Sequence, residues 1–173
     1  MASKRELLRR AKHEAGHAIL ALTLGTEFMD VTIVPYQPTS RIHILGDKEP
    51  TVGIVRGGLR YEQGSTSYAS NWDWACLLMA GLAGERIDRK TSGRFTSTDL
   101  FSGAYDDWCK TLVEVRKFST PAGVDMWVNR ILADAWERLK RHKAAHKRLV
   151  NLLLEKGTVA YDEVVELYDL GWA

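Results

Sequence analysis

Leu7, Leu8, Ala11, Ala15, Ala18, Ile19 and Leu22 recur at the interval of one helix face, and that stripe runs through His13-Glu14-Ala15-Gly16-His17. A stripe of this kind makes the segment a long amphipathic helix with one face to bury. Four residues are slightly more than one helical turn, so the imidazoles of His13 and His17 leave the same face. Gly25 stands where a helix of this kind stops.

Two imidazole nitrogens one turn apart can grip one zinc ion. Glu14 follows His13 directly and can reach a water at that ion as a general base. An accidental HExxH has no reason to sit on an amphipathic helix, whereas a metal-binding one requires it. Two histidines do not complete a catalytic zinc site, for which three protein ligands plus water are usual. The extended HExxHxxGxxH pattern is absent, because Leu20 and Thr23 occupy its later positions. Glu85, Asp88 and Asp99 are the candidates for the third ligand. Glu85 lies in Gly81-Leu82-Ala83-Gly84-Glu85, whose small residues let helices approach closely, so its helix is expected to pack near the HExxH helix. Asp99 lies at a loop-to-helix junction after Thr96-Ser97-Thr98.

The 173 residues suffice for one domain with a real core. A net charge of +2 argues against a general binder of nucleic acid or membrane surfaces. Cys76 and Cys109 fall in apolar helical patterns and form no close-spaced pair, so free buried thiols and a reducing, cytoplasmic setting are expected. The apolar run Ala18 to Gly25 is too short for an export signal, and the run around Cys76 to Ala80 is too short to span a bilayer. No GxxxxGK[ST] is present, so no ATPase activity is expected of this chain.

After the first helix, Asp30 to Val34 alternates, is β-branched and reads as a strand ended by Pro35. Arg41 to Leu45, Val52 to Val55 and Leu59 to Tyr61 are further strand candidates, giving a small sheet. A helix capped by Ser70 or Asn71 runs towards Ile87. Another runs from Thr98-Asp99 to about Phe118. Pro121 begins the next, with Val124, Val128, Ile131, Leu132, Ala135 and Leu139 on one face. Helices over 145–156 and 161–168 follow, separated by Gly157 as a C-cap. His142 and His146 stand four apart, but basic neighbours crowd them, and they read as a solvated helix face. His43 has no ligand companion in its strand region, and the six tryptophans read as core. The class is α+β, mainly helical. One domain spans 1–173, with a metal-site region over 1–118 and a helical tail over 119–173.

The order of these motifs resembles the peptidase domain of FtsH-type membrane-anchored AAA proteases. HEAGHAILAL resembles that family's active-site helix, Val31 to Pro35 its following strand, and Gly53-Ile54-Val55 its substrate-proximal strand. Gly81 to Glu85 resembles its small-residue helix, Ser97-Thr98-Asp99-Leu100 the segment carrying its third ligand, and Leu152 to Lys156 its helical tail. The resemblance implies a zincin-like site in which His13, His17 and Asp99 hold Zn2+, Glu14 is the base and Glu85 supports a ligand. It further implies a zinc metalloendopeptidase that cleaves peptides or unfolded proteins through a zinc-activated water. The substrate strand would pair with Gly53, Ile54 and Val55. A homo-oligomer and an ATPase on a separate partner chain are implied as well. The chain departs from the family at Thr39 to Pro50, which looks inserted, and at Thr98, where the family has Asn. The competing expectation is a non-catalytic zinc-bound interaction module, against which the intact Glu14 argues.

Overall fold

The structure, a computed structural model, describes residues 3–34, 54–56, 68–99 and 104–170. It is mainly helical, with a small antiparallel sheet. Helix α1 spans Lys4–Thr23. Ser3 caps it by accepting from the Glu6 amide, which satisfies one of the donors a helix start leaves open. Thr23 ends it, and Gly25 turns the chain away with φ +67, a conformation glycine adopts without steric cost.

Strand β1, Asp30–Thr32, lies at the centre of the sheet, between β2, Ile54–Arg56, and β3, Thr158–Ala160. Both pairings are antiparallel, with Val31 opposite Val55 on one side and Val159 on the other. The strand expected over 52–55 is therefore present in part, while β3 went unread in the sequence. The expected strands over 41–45 and 59–61, and with them His43, lie outside the described residues.

Helix α2, Tyr68–Glu85, starts ahead of the expected cap at Ser70 or Asn71. It packs on α1 as the small residues require. A Cβ on Gly16 would lie 2.2 Å from the Ala80 carbonyl oxygen, and one on Gly84 would lie 2.4 Å from that of Lys12. Real side chains do not tolerate such approaches, so glycine alone lets the two backbones touch here. Ile19, Leu20, Leu77 and Met79 fill the surrounding core without solvent exposure, each such side chain contributing about 1.5–3 kcal/mol.

The helix expected over 98–118 is resolved into two pieces. A single turn, α3, covers Ser97–Asp99, and α4 covers Tyr105–Arg116. Pro121 opens a 3-10 turn that leads into α5, Val124–Arg141. Helices α6, Lys143–Lys156, and α7, Tyr161–Asp169, follow, with Gly157 between α6 and β3 at φ +76. Helix α5 packs on α2 and α6 on α1. His146, expected on a solvated face, is 1 % exposed, and its Nε2 donates to the Lys12 carbonyl across 2.9 Å. The stripe of α6 that meets α1 contains His146, which the surrounding lysines and arginines obscured in the sequence. His142 stacks on Tyr168. Cys76 and Cys109 are free thiols, the first buried and the second half-buried. No helix among the described residues is long and apolar enough to cross a membrane.

Candidate metal centre

Helix α1 carries His13 and His17 one turn apart, with ring centroids 4.9 Å from each other. Helix α4 brings Asp107 against both. Its Oδ2 lies 3.0 Å from His13 Nε2 and 3.2 Å from His17 Nε2, and the two Nε2 atoms are 3.2 Å apart. Three ligand-type atoms thus form a nearly equilateral triangle. Tetrahedral zinc with bonds of about 2.0–2.1 Å spaces its ligands by about 3.3 Å, so the triangle has the right size for one face of such a site.

The outer nitrogens explain why both Nε2 atoms point inwards. His17 Nδ1 donates to the Leu77 carbonyl at 2.8 Å, and His13 Nδ1 donates to Glu85 Oε1 at 2.9 Å. An imidazole that donates from Nδ1 presents a lone pair at Nε2, the form a metal takes. Arg9 also reaches Glu85 Oε1, at 3.2 Å, and holds that carboxylate in place. Two lone pairs and a carboxylate oxygen converging within hydrogen-bond distance repel one another unless a positive charge sits among them. In the metal-free protein a proton fills that role. Burial pulls the His13 pKa down, but the hydrogen bonds its imidazolium donates to Asp107 and Glu85 outweigh it and raise it to about 10. Burial works against ionisation of Asp107 too, yet His17 and His13 hold its carboxyl below the usual carboxylate range.

Glu14 is 7 % exposed, and its carboxylate has no hydrogen-bond partner among the described residues. Burial pushes its pKa up, while the charges of His13 and His17 oppose the shift. Its oxygens are not among the fully enclosed polar atoms left without a partner, so the carboxylate keeps an opening beside the three converging ligand atoms through which a water or substrate proton can reach it.

Asp99, expected as the third ligand, stands elsewhere. Its Oδ1 accepts from Arg86 Nη2, and its Oδ2 accepts from the amide and hydroxyl of Thr96 at 2.7 and 2.8 Å. The correction has a physical cause. Helix α4 begins at Tyr105, so Asp107 lies in its first turn and shares a face with the buried Ala104, Thr111 and Val115. An acidic residue on a core-facing stripe was the available signal. It was masked because a helix started at Thr98 made Asp99 the carboxylate at the helix entrance. Asp88, another candidate, is exposed and pairs with Lys12 and Lys143. Glu85 reaches His13 from behind rather than joining the triangle. Gly53 lies outside the described residues, whereas Ile54 and Val55 belong to β2, which pairs on one side only among the described residues. Among the described residues, His13, His17 and Asp107 form the one cluster of this kind able to hold a metal ion.

Comparison with protein-family models and with curated proteins gave no match.

Proposed function

We propose that the chain is a zinc metallopeptidase of zincin-like design, in which His13, His17 and Asp107 hold the metal and Glu14 handles the proton. The observation that carries this reading is the convergence of three ligand atoms, with a Glu14 carboxylate beside them that makes no hydrogen bond among the described residues. Bound zinc would supply Lewis acidity, lowering the pKa of water towards neutrality and polarising a carbonyl. The raised pKa of Glu14 suits it to accept a proton from water and return it to a leaving amine. Glu85 and the Leu77 carbonyl fix both imidazoles in the required tautomer. The resemblance of the HEAGHAILAL segment to FtsH-type peptidases agrees with this reading. Peptides and unfolded chains are the fitting substrates, because a peptide bond reaches such a site only in an extended segment.

The test is Glu14→Gln, with zinc content and cleavage of a fluorogenic peptide library measured on both proteins. The variant should keep its zinc and lose ~10²–10⁴ in rate. Equal cleavage by both proteins would sink the mechanism. A wild type that binds zinc tightly and cleaves nothing would turn the reading towards a non-catalytic interaction module.

A further inference from the structure

Arg86 directly follows Glu85, the residue that holds His13, yet it takes no part in the triangle. Its side chain is almost fully buried, at 3 % exposure. The guanidinium donates to the carbonyls of Ser92 and Arg94 and to Asp99 Oδ1, and the Arg86 carbonyl accepts from Trp136 Nε1. Nε has no partner. A buried cation of this kind costs several kcal/mol to desolvate, so these contacts amount to an expensive way of pinning one loop, residues 92–99.

The pinned loop touches the metal-site helix directly. Phe95 lies within it, and its amide is fixed by Asn129 Oδ1 at 2.7 Å. The Phe95 ring stacks on Trp108 with an interplanar angle of 3° and centroids 6.1 Å apart. Trp108 is the neighbour of Asp107 on α4. A continuous set of contacts therefore runs from the end of α2, where Glu85 grips His13, through Arg86 and the loop to the residue beside Asp107.

We propose that Arg86 is a positioning residue for Asp107, acting through Asp99 and the Phe95–Trp108 stack to set the approach of α4 to the two histidines. The proposal rests on the reading of His13, His17 and Asp107 as metal ligands. It gives Asp99 a role at the metal without contact to it. It also accounts for a buried guanidinium one residue beyond Glu85, since both ligand-bearing helices are then registered from the same point on α2.

The test measures zinc affinity by competition with a chromophoric chelator in Arg86→Met, Asp99→Asn, the double variant and Phe95→Leu. Each single variant should bind zinc about tenfold more weakly, the range seen when groups that orient ligands are lost. The double variant should be no weaker than its worse parent, because both act through one connection. Val164→Ala, in the core of α7, should lower Tm without changing zinc affinity, which separates positioning from general loss of stability. Wild-type affinity in Arg86→Met, or additive losses in the double variant, would overturn the proposal. Should Arg86→Met not fold, Phe95→Leu decides alone, since it removes only the stacked ring, and wild-type affinity there would be equally fatal. Imidazole ¹⁵N shifts of His13 and His17 in the metal-free proteins provide a second readout. They should report a lost Asp107 hydrogen bond in Arg86→Met, and unchanged shifts would contradict the proposal. A wild type that binds no zinc would refute the metal assignment, while these shifts would still show whether Arg86 places Asp107.

Discussion

A Cβ on Gly81 would lie 2.3 Å from Nε2 of His13 and within 2.5 Å of two ring carbons. The imidazole occupies the space that any other residue at this position would fill. Gly81→Ala should therefore displace the ring and weaken zinc binding by ~10–100-fold or more. Helix propensity acts in the opposite direction, since alanine favours a helix interior by about 1 kcal/mol over glycine. Far-UV circular dichroism should show the fold retained while a zinc titration shows the site damaged. Undiminished affinity would mean that His13 does not use this space.

Asp107→Ala should remove a carboxylate oxygen from the zinc shell and sharply reduce occupancy. Asp99→Ala should leave the same ligands in place, though more weakly held. X-ray absorption on the two zinc-loaded variants separates the roles. Loss of the oxygen ligand in Asp99→Ala, with Asp107→Ala unaffected, would restore the assignment suggested by the sequence.

Burial lowers the His146 pKa from 6.5 to about 4, the hydrogen bond to the Lys12 carbonyl offsetting only part of it. A group whose pKa is depressed in the folded state stabilises the fold above its unfolded pKa and loses that contribution as pH falls. Metal-free protein should therefore lose up to about 3 kcal/mol between pH 6.5 and 4 on account of this one residue. His13 acts in the opposite sense near the top of that window, where its unfolded form is only half protonated while its folded form stays charged, and it adds no slope once the pH is well below 6.5. Urea unfolding of wild type and His146→Gln across this range should show a shallower acid slope in the variant, and parallel slopes would refute the assignment.

Strand β2 pairs with β1 through Ile54, Val55 and Arg56, and its far side has no partner among the described residues. A peptide added there would use backbone hydrogen bonds. Ile54→Pro removes a donor and fixes φ, so it should raise KM for peptides more than Ile54→Ala, with zinc content unchanged. A folded, zinc-replete Ile54→Pro with wild-type kinetics would exclude this edge as the substrate site.

The legible parts of the molecule are those set by neighbours in sequence. The stripe through the HExxH, the stop at Gly25, and α6 and α7 on either side of Gly157 follow from helical periodicity and glycine's access to positive φ. The approach of α2 to α1 followed from Gly81 and Gly84. What escaped depends on distant partners. Strand β3 is three residues long and takes its identity from Thr32, 126 positions away from Thr158. His146 sits in a run of lysines and arginines, and only the packing of α6 on α1 buries it. Asp107 escaped because Asp99, at the helical turn Ser97–Asp99, was read as the carboxylate at the helix entrance, while Asp107 lies in the first turn of the next described helix, on its core-facing side.

The bond between His146 and the Lys12 carbonyl spans 134 residues, and that between His13 and Asp107 spans 94. At synthesis rates of about 5–20 residues per second, α1 leaves the ribosome on the order of ten seconds before its last partner exists. For that interval the helix holds His13 and His17 without Asp107 and carries a bare apolar stripe. If the three residues hold zinc as proposed, a nascent chain could neither capture it firmly nor use it to organise its own folding. On that reading the ion would be loaded late, after the chain has closed around α1.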